Sequence, residues 1–307
     1  MKVTKIIDIK FTYNCNNRCY LCCQDEEYKN KKSNINLKDF SYILDMDNNR
    51  KATKIVISGG EATIHTEFLY LMKAIHEYGY ENIQLQTNAR TLSDEKFLEQ
   101  IISNGVNNFG ISLHGSIPEI HNQFSITDSF DQVITALRNL RKYNSNIYVA
   151  VNSVIFDKNI NDLINISELL HKENLCNSHQ LAYIHIIGKA KDKLNSILKI
   201  SDVAKVVRPI LEKSKDYNMK MYTEAFPFCL LAGYEKHASE LYVGKCEIIT
   251  IDYEKRQNYS ELKNDSLKSK MSCCKNCLFD SICEGVWSEY IDYFGDIEFK
   301  ARRSMQT

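Results

Sequence analysis

The chain has 307 residues with 39 basic and 39 acidic side chains, so its formal net charge is zero, and 44% of its residues are hydrophobic. This balance offers no electrostatic footprint for a nucleic acid or an anionic membrane, no segment reaches the roughly 20 apolar residues of a membrane span, and the N-terminus lacks the pattern of a signal peptide. We therefore expect a globular, cytoplasmic protein that binds neither nucleic acid nor membrane.

Six short segments rich in Ile and Val predict buried strands, and helical patterns separate them. In chain order the strands are "KIIDIKFT", "TKIVISG", "NIQLQTN", "NFGISLH", "IYVAVNSVI" and "AYIHII". The helices are "NLKDFSYILDM", "TEFLYLMKAIHEYG", "LSDEKFLEQIISNG", "SFDQVITALRNLRKYN" and "INDLINISELLHKEN". This alternation predicts an α/β fold with a parallel sheet, either a partial barrel or a doubly wound sheet, whose chemistry lies at the carboxyl ends of the strands.

The alternation stops near residue 195. The segment "LKISDVAKVVRPILEKSKDYN" predicts a helix that is interrupted or ends near Pro209, and the cysteine-rich "CCKNCLFDSICEG" follows in an irregular remainder. We therefore predict two domains, residues 1–195 and a smaller α+β module over residues 196–307 that metal partly holds together.

Eleven cysteines, an odd number grouped towards the two ends of the chain, do not match a disulfide framework. In a reducing compartment, grouped cysteines are more typical of metal ligands or catalytic groups. Cys15, Cys19 and Cys22 follow the first strand, and three thiolates on one loop complete neither a tetrahedral zinc site nor all four irons of a cubane. A cubane held by these three residues would leave one iron open to an outside ligand.

This C-x3-C-x2-C pattern after the first strand, with "GGE" after the second, resembles the radical S-adenosylmethionine (SAM) enzymes over roughly residues 5–190. The resemblance implies a partial (β/α)6 barrel of the TIM type and a [4Fe–4S] cluster that Cys15, Cys19 and Cys22 bind and whose open iron chelates SAM. It also implies that a reductant such as flavodoxin or ferredoxin supplies the electron that cleaves SAM. The 5′-deoxyadenosyl radical formed then abstracts hydrogen from a substrate.

The family resemblance further implies which residues surround SAM. The "GGE" turn is expected to hold the methionine amino group, and the ends of the third to sixth strands to surround the rest of the cofactor. Three features depart from the family pattern, because Leu21 replaces an aromatic residue, Ala89 replaces a glycine and Cys23 adds a spare thiol. The implied cofactor-binding residues are Ser58, Gly59, Gly60, Glu61, Thr87, Asn88, Ser112, Asn152, Ile155 and Gly188.

A second cysteine pattern, Cys274-x2-Cys277-x5-Cys283, lies near the C-terminus and alone could be half of a zinc ribbon. Beside the barrel it resembles the auxiliary-cluster module of SPASM and twitch proteins, and the number of cysteines left implies one auxiliary [4Fe–4S] cluster. Cys229 and Cys246 compete to be the fourth ligand, and the rigid, apolar "PFCLL" favours Cys229. The residue left over could be buried filler, a substrate contact or a thiol hydrogen donor, which makes Cys246 a catalytic candidate.

His114, at the end of the fourth strand, is the other catalytic candidate, as an acid/base or substrate-binding group, with a purely structural histidine equally consistent. The substrate is either a ribosomally made peptide, modified by crosslinking, thioether formation or epimerisation, or a small molecule that is oxidised or rearranged. No leader-binding domain precedes the first strand, which counts against a peptide, but peptide maturation is the commonest role of the module and we favour it. A non-catalytic iron–sulfur electron carrier or a zinc-binding protein would need neither the open iron nor the "GGE" turn.

Overall fold

The computed structural model describes residues 4–24, 35, 40, 47, 52–143, 146–243, 246–251 and 256–304. Its strands are β1 (Thr4–Thr12), β2 (Lys54–Gly59), β3 (Ile83–Thr87), β4 (Val106–Ser112), β5 (Tyr148–Ile155), β6 (Ser178–Tyr183), β7 (Lys220–Glu224), β8 (Cys246–Ile251), β9 (Arg256–Asn258), β10 (Lys268–Ser269) and β11 (Val286–Trp287). The first nine of these form one sheet in the order β7-β6-β5-β4-β3-β2-β1-β8-β9, and β10 pairs with β11.

The α-helices among the described residues are α1 (Phe68–Glu77), α2 (Glu95–Ser103), α3 (Pro118–Ser125), α4 (Phe130–Arg141), α5 (Leu163–Lys172), α6 (Ile200–Lys213), α7 (Glu240–Val243), α8 (Tyr259–Leu262) and α9 (Ser288–Phe294). The helix predicted over "NLKDFSYILDM" lies almost entirely outside the described residues. None of the helices that the structure describes is long and apolar enough to cross a membrane.

Strands β1 to β7 pair in parallel with their sequence neighbours, which confirms the predicted α/β fold with a parallel sheet. The pleat gives the sheet two different faces, because successive side chains point to opposite sides. On the face that packs against the helices, residues such as Ile57, Leu85 and Val151 are fully buried. The other face carries polar and small side chains, and in β5 and β6 these include Asn152 and Gln180, which are register partners.

The sixth predicted strand is displaced by four residues, since β6 ends at Tyr183 instead of continuing through "IHII". Its beginning contains polar residues that the sequence pattern did not favour in a buried strand. The structure pairs the buried His179 ring with the Ser153 hydroxyl at 2.9 Å and the Ser167 hydroxyl at 3.1 Å. These hydrogen bonds offset the cost of burying the His179 imidazole, so the strand can begin with polar residues. It then ends at Tyr183, and Ile184 to Ile186 lie in the loop beyond the sheet.

The sheet also extends beyond residue 195. Strand β7 adds to the β6 edge, while β8 pairs in parallel with β1 at the other side and β9 pairs antiparallel with β8. The domain boundary between residues 195 and 196 stays a prediction. The sheet, however, contains strands from before this boundary, β1 to β6, and from after it, β7 to β9.

The helix predicted to end near Pro209 continues to Lys213, so that prediction is wrong. Proline removes one N–H donor from a helix and crowds the preceding turn. The buried stripe of α6 nevertheless runs past this point, because Val207, Ile210 and Leu211 all pack into the core while Pro209 is exposed. Burial of the apolar side chains on both sides of Pro209 therefore outweighs the local cost of the proline.

Candidate active site

A cavity of about 360 Å³ lies at the carboxyl ends of the parallel strands, where the fold predicted the chemistry. Cys15, Cys19 and Cys22 line one side of it. Seven of the ten predicted cofactor residues also line it, namely Ser58, Gly59, Gly60, Thr87, Asn88, Ser112 and Asn152. The structure thus brings the first cysteine group and most of the predicted SAM site together at one place.

The glycine turn after β2 touches the backbone of the cysteine loop. The Gly60 amide donates to the Thr12 carbonyl at 2.6 Å, and a Cβ atom on Gly60 would lie 2.2 Å from the Asn14 carbonyl oxygen. Gly59 has a φ of +125°, and a Cβ there would lie 2.3 Å from the Thr12 carbonyl oxygen. A side chain at either position would therefore push the cysteine loop away from β2.

Glu61 does not line the cavity, contrary to its predicted role as a cofactor contact, because its side chain is fully buried beneath the turn. Its carboxylate accepts hydrogen bonds from the Thr63 and Thr87 hydroxyls and from the Asn88 amide, each at 2.7 Å. Burial raises the pKa of the Glu61 carboxyl, and these hydrogen bonds oppose that rise. Glu61 therefore ties the turn after β2 to the end of β3.

The segment after β3 holds the cysteine loop from the other side. Asn88 Nδ2 donates to Asn16 Oδ1 at 2.7 Å, and the Arg90 guanidinium donates to the Asn16 carbonyl oxygen and, at 3.2 Å, to Asn17 Oδ1. Ala89 between them has a φ of +62°, a left-handed conformation that glycine adopts most easily. The structure thus explains why the usual family residue at this position is glycine.

The pleat of β5 separates two residues that were predicted to act together. Asn152 lines the cavity, and its Oδ1 is buried without a hydrogen-bond partner among the described residues. Ile155 lies on the opposite face of the strand, only 2% exposed and in the core, so the structure does not place it at the cavity wall as predicted; Val154 lines the cavity instead. The orphaned oxygen of Asn152 fits a ligand that donates a hydrogen bond there.

Gly188 likewise does not line the cavity, and the structure gives it a different role. Its φ is +56°, and a Cβ would lie 2.5 Å from the Cys23 carbonyl oxygen and 2.7 Å from that of Cys22. The next amide, of Lys189, donates to the Cys22 carbonyl at 2.9 Å. Gly188 therefore supports the cysteine loop through close backbone contact.

His114 lines the cavity and is 5% exposed. The Val154 amide donates to His114 Nδ1 at 3.2 Å, so the proton of the neutral ring is on Nε2. Burial, with the nearby His121 ring adding to it, holds the pKa of His114 well below the ordinary value. At neutral pH the ring is therefore neutral, and its Nε2 carries a proton that can be donated in a hydrogen bond.

Three further residues complete the cavity on the side away from the cysteine loop: His185, Glu224 and Trp287. The His185 ring stacks on the Trp287 indole with centroids 3.8 Å apart and an angle of 9°, and its Nε2 lies 3.2 Å from Glu289 Oε2. The sequence patterns singled out neither His185 nor Glu224. Glu224 ends β7, a short alternating segment whose pattern, "KMYTE", is the signal that could have found it.

Five cysteines surround a second, smaller pocket near the C-terminus. Cys274, Cys277 and Cys283 lie there with Cys229 and Cys273, and Phe228, Met271 and Phe299 contribute apolar walls. Burial raises the pKa of the Cys229 thiol to about 12, and the neighbouring thiols of Cys283, Cys274 and Cys277 contribute to the rise. All-sulfur donors within an apolar wall fit an iron–sulfur cluster or a zinc ion.

Cys246 lies in neither pocket. It begins β8 and is the register partner of Thr4, at the amino end of the parallel strands, whereas the cavity lies at their carboxyl ends. Its thiol lies 3.8 Å from the Tyr242 carbonyl oxygen. This position does not support the predicted role of Cys246 as a hydrogen donor to substrate.

We predict that Gly188→Ala lowers the iron bound at Cys15, Cys19 and Cys22, because the added methyl group would collide with the backbone of Cys22 and Cys23. Gly295→Ala is the matched control, since Gly295 also has a positive φ, +72°, but nothing lies within 4 Å of an added Cβ. Iron and sulfide content after anaerobic reconstitution, with the melting temperature of both variants, is the measurement. Equal iron in the two variants would show that Gly188 does not support the loop.

Comparison with known proteins agrees with this geometry. The profile of the Radical SAM superfamily matches residues 9–170, more than half of the chain. A probable GTP 3′,8-cyclase of Sulfurisphaera tokodaii is 22% identical over 219 residues, which are 70% of this chain and 68% of that protein. One of Saccharolobus islandicus is 23% identical over 184 residues, 60% of this chain and 58% of that protein, so the match spans less than two thirds of this second relative.

Two solved structures share the fold. SuiB of Streptococcus suis, bound to the precursor peptide SuiA, superposes with a TM-score of 0.69 at 16% identity and covers 100% of this chain and 77% of that one. The enzyme anSMEcpe with bound AdoMet has a TM-score of 0.66 at 18% identity and covers 98% and 93%. The protein therefore belongs to the Radical SAM superfamily, and it is a radical SAM enzyme of a family that binds a [4Fe–4S] cluster and SAM.

Proposed function

We propose that this enzyme abstracts hydrogen from a ribosomally synthesised peptide and so matures it by crosslinking, thioether formation or epimerisation. The observation that carries the proposal is the composition of the cavity wall. Among the described residues that line it, none is Lys or Arg, and Glu224 is the single carboxylate. A peptide segment fits such a wall better than a polyanion does.

The residues at the carboxyl ends of the strands suit the family's cofactors. Cys15, Cys19 and Cys22 would hold the first cluster, and Ser112 and Asn152 present polar atoms beside it. When bound, the cluster and SAM supply a 5′-deoxyadenosyl radical, for which flavodoxin or ferredoxin would provide the electron. The chain's own contribution is to fix the three thiols through the glycine turn and to enclose the reacting groups within a cavity of about 360 Å³.

His114 would serve as a hydrogen-bond donor in this reaction. Its Nδ1 already accepts from the Val154 amide, which leaves the Nε2 proton for a ligand. Its depressed pKa, which has burial as its main cause, keeps the ring neutral around pH 7. A neutral donor of this kind can orient a carbonyl or hydroxyl group without adding charge to the cavity.

The module beyond the barrel would hold an auxiliary [4Fe–4S] cluster on Cys229, Cys274, Cys277 and Cys283. Their convergence on one pocket supports this set over one that includes Cys246. In the part of the chain that the structure describes, no three His, Cys, Asp or Glu side chains lie close enough to hold a single metal ion. In such a cluster each of the four thiolates would bind a different iron.

A second candidate substrate is a small molecule, because the curated relatives named above are probable GTP 3′,8-cyclases. A nucleoside triphosphate requires cationic or metal partners for its phosphates. The described cavity wall offers no cationic side chain and includes a carboxylate, which favours the peptide.

The substrate proposal predicts that the reconstituted enzyme, with SAM and a reductant, changes the mass of a short peptide encoded beside it and forms 5′-deoxyadenosine. The Cys15/Cys19/Cys22→Ala variant should form none, because it lacks the first cluster. Product analysis by mass spectrometry is the measurement, with GTP offered in parallel. If GTP gives a new product and the peptide is unchanged, the proposed peptide substrate is wrong and the substrate is a nucleotide.

The cluster proposal predicts about eight irons per chain after anaerobic reconstitution, and about four in each of the Cys15/Cys19/Cys22→Ala and Cys274/Cys277/Cys283→Ala variants. Cys229→Ser should lose iron at the second site, because a ligand would be removed from the pocket. Cys246→Ser, its matched control, should keep full iron. About four irons together with one zinc in the unaltered protein would make the module a zinc site.

A further inference from the structure

One wall of the cavity is built jointly by the sheet and the antiparallel pair of β10 and β11, the C-terminal hairpin. Glu224 at the end of β7 is the register partner of Ala182, and Ala182 is in turn the partner of Val154. All three line the cavity, so they form one layer at its rim. From the other side, β11 contributes Trp287, which reaches this layer by stacking on His185.

The Glu224 side chain is half-buried, and its carboxylate has only part of its hydrogen-bonding capacity filled. Gln180 Nε2 donates to its Oε2 at 2.5 Å, and no other hydrogen bond to this carboxylate is formed by the described residues. Glu224 lines the cavity, and the described residues form no hydrogen bond to its Oε1. A carboxylate oxygen at a cavity wall is an acceptor for a donor brought in by a ligand.

A buried lysine lies behind this wall. Lys268 is 8% exposed, and its Nζ lies 3.8 Å from the centre of the Trp287 ring. Burial lowers the pKa of Lys268, and the carboxylates of Glu240, Glu284 and Glu224 oppose that effect, whereas Lys263 adds to it.

A second observation also indicates a ligand at this wall. Trp287 is 7% exposed, and its Nε1 is a buried donor without a partner among the described residues. A buried N–H that finds no acceptor is unfavourable, because it has lost its hydrogen bond to water. A ligand that presents a carbonyl or hydroxyl oxygen next to its positive charge would satisfy this donor.

We propose that Glu224, with Trp287 and His185 beside it, forms a subsite that binds a cationic group of the substrate, an ammonium or guanidinium carried next to a carbonyl. The proposal rests on the proposed function, since it names the class of peptide that the enzyme would accept: one with Lys, Arg or a free amino terminus near the reacting residue. It also gives the C-terminal hairpin a role in substrate binding that is separate from any cluster.

The test uses the reconstituted enzyme with SAM and no reductant, so that binding is measured without reaction. The probes are tripeptides blocked at both ends, Ala-Lys-Ala and Ala-Gln-Ala, together with butylamine. We expect the Lys peptide to bind about tenfold or more tightly than the Gln peptide by calorimetry or ligand-observed NMR. Glu224→Gln should abolish this preference, and Glu77→Gln, which removes an exposed carboxylate, should keep it.

Glu224→Asp is a second variant for the case in which Glu224→Gln does not fold. It keeps the negative charge but shortens the side chain by one methylene group, so we expect a reduced preference for the Lys peptide over the Gln peptide. Measurable and equal binding of the two peptides to the unaltered enzyme, or a preference that survives both substitutions, would overturn the subsite. Butylamine separates the two proposals. If it binds in a Glu224-dependent way and neither peptide binds, the cationic subsite stands and the peptide substrate is wrong.

Discussion

The structure depends on how closely three backbone segments approach the loop that carries Cys15, Cys19 and Cys22. Gly59 and Gly60 touch it from the end of β2, the Asn88–Arg90 segment holds it from the end of β3, and Gly188 supports it from beyond β6. Three thiols on a loop would otherwise sample many arrangements, and fixing them costs conformational entropy. The close backbone contacts of the glycines and the side-chain hydrogen bonds of Asn88 and Arg90 together hold the loop at the edge of the sheet where the parallel strands end.

The second constraint is the two-sided character of the sheet. Its outer face is apolar and packs against the helices, while its inner face carries Ser58, Ser112, Asn152 and Glu224 on β2, β4, β5 and β7. Because the strands are parallel, these side chains line one cavity at the carboxyl ends. The C-terminal hairpin then completes the cavity with Trp287, so the substrate side of the site depends on both halves of the chain.

Much of this could be predicted from the sequence, because the informative features are local. The spacing of the first three cysteines, the two glycines after β2 and the apolar alternation of β1 to β5 are all visible in short windows. The polar start of β6 was not, since His179 is stabilised by Ser153 and Ser167, which are distant in sequence. For the same reason Glu61 and Gly188 were predicted to contact the cofactor, although the structure shows that they support the loops around it. The choice between Cys229 and Cys246 likewise depends on which end of the sheet each one occupies, which no local pattern records.

The central claim is that this cavity holds a peptide residue within reach of the radical that the family's cofactors supply. The most direct test is deuterium transfer. The enzyme, SAM and reductant are incubated with the precursor peptide, which carries deuterium at the residue that the enzyme modifies. We predict deuterium in the 5′-deoxyadenosine that is formed, and its loss from the peptide. If 5′-deoxyadenosine forms without deuterium from the peptide but acquires it from deuterated GTP, the account of the substrate is contradicted.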